Sequence, residues 1–175
     1  ERDILELSPA EAIRPPSKEK IRDRVLTMDE MKNIWAACKQ MGYPWGPIFQ
    51  LLLLTGARLR EVSQASWSEV SIADGTLDLP ASRTKNKRSH QIQLSDQAQN
   101  IIQALPRVEG QTLLFTTNGT TAVSGFSKVK KRLDIISGVA DWRFHDLRRS
   151  FATHSTERLG ISPVIADKIL NHVTG

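Results

Sequence analysis

Three short stretches, far apart in the chain, set cations beside a turn or a helix start, and each is suited to holding an anion. Thr55-Gly56-Ala57-Arg58-Leu59-Arg60-Glu61 runs from a glycine turn into a helix whose first turn offers backbone N–H groups beside the Arg58 guanidinium. Such a corner suits a phosphate, because amide donors and a planar fork of guanidinium donors converge on it. The same residues also fit a surface helix with an Arg58–Glu61 ion pair at i, i+3, worth only about 0.2–0.5 kcal/mol. Arg83-Thr84-Lys85-Asn86-Lys87-Arg88 holds four cations and no acid. A solvated loop tip explains that run as well as contact with a polyanion does, and charge alone does not single out Lys85. In Phe144-His145-Asp146-Leu147-Arg148-Arg149, a core face made of Phe144, Leu147 and Phe151 would leave His145 and Arg148 together on its half-buried flank, able to reach one ligand. A core-edge histidine beside a snorkelling arginine fits the same pattern. His172, at the end of the last helix, could simply be a cation at a helix C-terminus. His90 and His154 lack partners at metal-ligand spacing, and neither H-E-x-x-H nor a carboxylate cluster occurs, so no metal site is expected.

The elements that must position these residues are mostly helical. Ser8-Pro9-Ala10-Glu11 and Thr27-Met28-Asp29-Glu30 both have the S/T-x-x-E form of a capping box. The second opens a helix burying Met31, Ile34, Trp35 and Cys38, and Thr27 is taken as a domain boundary. Tyr43-Pro44-Trp45-Gly46-Pro47 breaks the pattern, and Ile48 to Leu54 forms a buried helix ending near Thr55-Gly56. A short helix over Arg58 to Ala65 follows. Thr76 to Pro80 and His90 to Leu94 alternate apolar and polar residues as hairpin strands, with the basic loop between them. Ser95 caps a further helix, Leu113 to Phe115 is a candidate short strand, and a basic helix is expected from about Val123 to Ile136. Ser162-Pro163 starts a last helix through Leu170. The expected fold is mainly α with a small antiparallel β-sheet, an α+β arrangement.

Composition bounds the function. The chain has 175 residues, 39% hydrophobic, which suits one domain with a core and a short appendage. Its formal charge is +5, and residues 79 to 175 carry 14 basic against 7 acidic side chains. A cationic half points to a polyanionic partner, most often nucleic acid. Cys38, the single cysteine, excludes an intrachain disulfide framework and favours a reducing compartment. Ile48 to Leu54, the longest strongly apolar run, is far below the about 18 residues needed to span a membrane. The start at Glu1-Arg2-Asp3, with neither Met nor signal peptide, and the end at Gly175 read as cuts from something longer.

In this order the motifs gain specificity. Thr55-Gly56-Ala57-Arg58 with Glu61, then Thr84-Lys85-Asn86, then His145-Asp146-Leu147-Arg148-Arg149, then Leu170-Asn171-His172 resemble the catalytic domain of the tyrosine recombinases, the phage integrase family. The resemblance runs from about Thr27 to the end, and Arg22-Asp23-Arg24-Val25-Leu26-Thr27 further resembles integrases of prophages and genomic islands. It implies that residues 1–26 are a linker from a missing N-terminal DNA-binding domain and that 27–175 are the catalytic domain. It also implies cutting and rejoining of DNA without metal, ATP or other cofactor, by attack of a tyrosine to give a 3′-phosphotyrosyl intermediate and a free 5′-hydroxyl.

By the same resemblance Arg58 and Arg148 grip the non-bridging oxygens, Lys85 protonates the leaving 5′-oxygen, His145 moves protons around the nucleophile and His172 hydrogen-bonds the phosphate. Glu61 orients a neighbouring cation. Arg83, Lys87, Arg88, Lys128, Lys130, Lys131, Arg132 and Arg149 are candidate DNA contacts. The implied partner is double-stranded DNA at attachment sites in the bacterial cytoplasm, near the nucleoid. The full-length protein would be a homotetramer on DNA and the isolated fragment a monomer. Two departures stand out. Asn171 replaces the glycine of the family's usual L-G-H, and asparagine tolerates the left-handed backbone that glycine adopts there. The family's nucleophile lies a short way beyond the position of His172, so none is expected in this chain; Tyr43, the single tyrosine, reads as structural. A DNA-binding regulator without catalysis and a type IB topoisomerase-like enzyme remain the alternatives.

Overall fold

The computed structural model describes residues 22–171. Thr27 closes the capping box expected of it, its Oγ1 accepting from Glu30 N at 3.2 Å while Glu30 Oε2 accepts from Thr27 N at 2.8 Å. Helix α1 (Met28–Met41) follows and buries Ile34, Ala37, Cys38 and Met41. Helix α2 (Trp45–Thr55) starts ahead of the expected Ile48. Pro47 falls within its first turn, where a missing N–H costs nothing. Gly46 is needed there, because a Cβ would stand 2.1 Å from the carbonyl oxygen of Cys38 on α1. Ile48, Phe49, Leu51, Leu52 and Leu53 are all buried, so α2 is the central helix, packed against α1 and against the later helices at residues 59–63, 96–103 and 144–159.

Gly56, in the left-handed conformation at φ +63°, ends α2 and returns its N–H to Leu52 O at 3.0 Å. Helix α3 (Leu59–Ser63) is a short piece inside the expected Arg58 to Ala65. The sheet is antiparallel in the order β1 (Val70–Ser71), β2 (Thr76–Leu79), β3 (His90–Gln93). Leu77 faces Ile92 and Leu79 faces His90, which sends Leu77, Leu79 and Ile92 into the core with the alternation read from the sequence. Helix α4 (Asp96–Gln103) is capped by Ser95, whose Oγ accepts from Ala98 N. Leu113 to Phe115 forms no strand; Leu113 makes one isolated bridge, to Ser66, and a second, Thr116 to Ala122, lies just beyond the segment. Its backbone is satisfied piecemeal: Leu114 N donates to Ala65 O at 2.8 Å, Gln111 Nε2 donates to Leu113 O at 2.7 Å, and Tyr43 Oη donates to Leu114 O at 3.2 Å while accepting from Thr116 N at 3.1 Å. The basic helix α5 (Phe126–Ser137) begins three residues after Val123, because Gly125 at φ +81° turns the chain into it.

Helix α6 (Phe144–Leu159) is held at its first turn by aromatic packing. Phe144 stacks on Phe49 at 5.2 Å and meets Trp142 edge-on at 5.8 Å. Asp146 Oδ2 accepts from Arg143 N at 2.8 Å and closes the helix start. Helix α7 (Pro163–Ile169) follows a Ser162 cap. Packed structure extends back to Arg22: Arg22 Nε donates to Asp146 Oδ2 at 3.0 Å, and Leu26 N donates to Ser150 Oγ at 2.8 Å. Leu26 O lies 2.7 Å from His154 Nε2; a carbonyl only accepts, so Nε2 carries the proton. No described helix is long and apolar enough to cross a membrane.

Candidate active site

The three cationic stretches meet around one cavity of about 540 Å³, whose walls include Arg58, Thr84, Lys85, Phe144, His145 and Arg148. Arg58 arrives from the turn after α2, Lys85 from the hairpin loop, and His145 and Arg148 from the first turns of α6.

Arg148 is 3% exposed. Its Nη1 donates to Gly56 O at 2.8 Å and its Nη2 to Leu170 O, the carbonyls at the C-terminal ends of α2 and α7. These are acceptors that a helix leaves unsatisfied and where a cation is favoured. Nε is buried and has no hydrogen-bond partner among the described residues. Burial above all, then the neighbouring Arg58 charge, pulls the Arg148 pKa down to about 10, against the opposing pull of Glu61 and Asp167. The guanidinium stays charged at neutral pH, poorly solvated, and an anion in the cavity would relieve that cost.

Arg58 is held by Glu61, a carboxylate 2% exposed: Nη1 donates to Oε1 at 2.8 Å, and the Arg58 backbone N donates to Oε2 at 2.8 Å. The i, i+3 pair is therefore real and buried on its acidic side. The Arg58 amide, at the N-cap, is thereby taken by Glu61, while the guanidinium beside it lines the cavity. Arg58 Nη2 also reaches Asn171 O at 3.4 Å.

Lys85 is exposed at the rim, in a loop anchored at its base. Arg83 is ion-paired with Glu69 and donates through Nη2 to Glu61 O at 3.0 Å and Arg60 O at 3.2 Å, tying the loop to α3. Thr84 is buried, its Oγ1 lying 2.6 Å from Arg88 O. Neither His145 nor Arg148 is half-buried as expected: His145 lines the cavity from an exposed position, and Arg148 is drawn inward by the two helix-end carbonyls. His172 lies outside the described residues; Asn171 before it takes the expected left-handed conformation, at φ +52°.

The remaining cations divide. Lys87, Arg88, Lys128, Lys131 and Arg132 are exposed. Lys130 is bound to Asp134 at 2.7 Å and lies 3.9 Å from the centre of the Trp142 ring, and Arg149 is paired with Asp146 at 2.8 Å.

Two features had no signal in the sequence. His90, set aside for want of metal-ligand partners, is half-buried at the start of β3. Its pKa is lowered by burial first and by Arg148 and Arg58, while Glu61 and a hydrogen bond to the Ile169 backbone act the other way. Asn86 and Asn171, 85 residues apart, are joined side chain to side chain at 2.7 Å. The described residues contain no group of three or more side chains placed to bind a metal ion.

The chain is 27% identical over 170 residues to a shufflon-specific DNA recombinase of Escherichia coli, covering 94% of this chain but only 42% of that protein. The fold is shared with XerA recombinase, at TM-score 0.72 and 19% identity over 92% of this chain and 59% of that one. It is shared also with a lambda integrase tetramer bound to a Holliday junction, at TM-score 0.69 and 21% identity over 92% and 50% of the two chains. The model of the phage integrase family matches residues 24–174, nearly all of the chain, and with the arginines, lysine and histidine around one cavity this places the chain in that family, the tyrosine recombinases.

Proposed function

We propose that the protein carrying this chain is a site-specific DNA recombinase that cuts and rejoins duplex DNA through a 3′-phosphotyrosyl intermediate, and that these residues form its phosphate-activating pocket. The observation that carries the reading is the buried Arg148 beside Arg58 in a cavity shared with Lys85 and His145. Desolvated, pre-oriented cations stabilise charge that develops on a phosphoryl group without reorganising at the moment of reaction. In this reading the two guanidinium groups hold the non-bridging oxygens, and Glu61 sets the angle of Arg58. His145 moves the proton near the nucleophile, and His172 adds a hydrogen bond to the phosphate.

A tyrosine oxygen attacks phosphorus and the bond from phosphorus to O5′ breaks. Lys85 gives its proton to O5′. One ester replaces another, so no external energy source is needed. The nucleophile is a tyrosine outside these 175 residues, because the Tyr43 hydroxyl is engaged by the backbone of Leu114 and Thr116. The working assembly is a homotetramer on DNA attachment sites in the bacterial cytoplasm, at the nucleoid, and the isolated chain is a monomer.

A suicide duplex incubated with the full-length protein should trap a covalent adduct, and Arg148→Ala should abolish it. A full-length protein that forms none on its cognate site overturns the reading. Residues 1 to 175 alone should bind duplex DNA without cutting it; strand cleavage by them would point to another nucleophile.

A further inference from the structure

The loop that carries Lys85 is clasped to the end of α7. Asn86 Nδ2 donates to Asn171 Oδ1 at 2.7 Å, and Asn171 Nδ2 reaches back to Asn86 Oδ1 at 3.4 Å. Asn86 Nδ2 also lies 3.5 Å from Asn171 O, the carbonyl that accepts from Arg58 Nη2. One residue pair therefore joins the hairpin loop, the Arg58 corner and the residue before His172. Asn86 is half-buried, whereas Lys85, Lys87, Arg88 and Ser89 around it are exposed, so Asn86 is where the loop tip meets the body of the protein.

Asn171 sits at φ +52°, a left-handed conformation that glycine adopts freely and that asparagine tolerates better than most side-chain-bearing residues. A backbone requirement alone would favour glycine here. The amide is what asparagine adds, and that amide is engaged with Asn86.

We propose that the Asn86–Asn171 clasp is a positioning device that holds the Lys85 loop over the cavity, so that the ammonium is in place when the 5′-oxygen departs. The inference rests on the role given to Lys85 above. During cleavage the phosphorus-to-O5′ bond breaks, the electron pair stays on O5′, and a Lys85 proton neutralises it, leaving a neutral amine. Asn86 and Asn171 touch none of the reacting atoms; they fix where the donor stands.

The test uses the full-length protein and two duplexes, one with the natural bridging oxygen and one with sulfur in its place. A thiolate leaves without protonation, so a defect in proton donation disappears on the sulfur substrate. Asn171→Gly keeps the left-handed backbone and removes both side-chain bonds of the clasp. It should slow adduct formation on the oxygen substrate about tenfold, a fraction of the about 10²–10⁴-fold that a general acid contributes, and leave the sulfur substrate nearly unchanged. Asn86→Ala should behave alike, and Asn171→Gly added to Lys85→Ala should slow the reaction no further. Equal losses on both substrates, or none on oxygen, overturn the clasp as a positioning device.

A second readout does not depend on the chemistry. Millisecond hydrogen exchange across residues 84–90 should accelerate in Asn171→Gly, and unchanged exchange overturns the clasp even in an active recombinase. If the unmodified protein forms no adduct on either duplex, or Lys85→Ala slows both equally, the role of Lys85 itself falls.

Discussion

Arg148 Nη1 donates to the carbonyl oxygen of Gly56 at 2.8 Å, so the residue that terminates α2 is also an acceptor for the buried cation of the cavity. The second arm of the same guanidinium holds Leu170 O. A lysine retains the charge and cannot span both carbonyls. Arg148→Lys is expected to lower stability by about 1.5–3 kcal/mol, the scale of a hydrogen bond to a charged group, as measured by urea denaturation. It should also abolish most adduct formation on a suicide duplex.

Gly56 is constrained twice. Its backbone is left-handed, and a Cβ would stand 2.6 Å from the Phe151 ring and 2.8 Å from the Leu170 side chain. Gly56→Ala should cost more than the about 1–2 kcal/mol of the backbone conformation alone, because the added methyl also displaces the Phe151 ring and the Leu170 side chain. A melting temperature that falls together with the adduct yield is the expected result, while an unchanged melting temperature would contradict the packing.

His90 gives the fold a pH dependence of definite sign. Its pKa in the folded protein lies below the ordinary 6.5, chiefly through burial, so the folded state binds fewer protons than the unfolded chain as pH falls through this range. The contribution is complete above pH 6.5 and is lost as pH drops toward the folded pKa. Glu30, lowered by its hydrogen bond with Arg24, acts in a separate window below 4.5. Urea midpoints between pH 7.5 and pH 5.5 should therefore fall in the unmodified protein and fall less in His90→Gln.

Two neighbouring lysines on α5 should part company. Lys131 is exposed, so Lys131→Ala should weaken duplex binding and reduce the salt slope by about one unit if it meets a phosphate. Lys130 is bound to Asp134 and the Trp142 ring. Lys130→Ala should lower stability and leave the slope unchanged, which fluorescence anisotropy over a salt series can resolve.

Local rules carried most of the fold. The Thr27, Ser95 and Ser162 caps, the buried α2 and the β2–β3 hairpin all follow from patterns within a few residues of each other, where periodicity and capping chemistry act. Boundaries drifted where a local signal has two meanings: Pro47 reads as a breaker but sits comfortably in a first turn, and Leu113 to Phe115 has the composition of a strand but satisfies its backbone through scattered partners at Ala65, Gln111 and Tyr43. The charged corners were legible as types and order. What was not legible was pairing at a distance. Nothing near Arg83 in sequence announces Glu69 and the carbonyls of α3, and nothing near Asn86 announces Asn171. Burial at Arg148 likewise depends on two helix ends brought together only by the fold.

The strap from Arg22 to Leu26 is bonded along α6 at Asp146, Ser150 and His154. While those bonds hold, that stretch is no swivel. A pull on the chain at Arg22 would be shared between Asp141, whose carbonyl accepts from Arg22 Nη2 at 2.5 Å, and Asp146, which lies between His145 and Leu147 and closes the first turn of α6 through the Arg143 amide. The turn that feels such tension is the one that projects His145 and Arg148 into the cavity, so the path of the incoming chain and the alignment of the cations are mechanically in series.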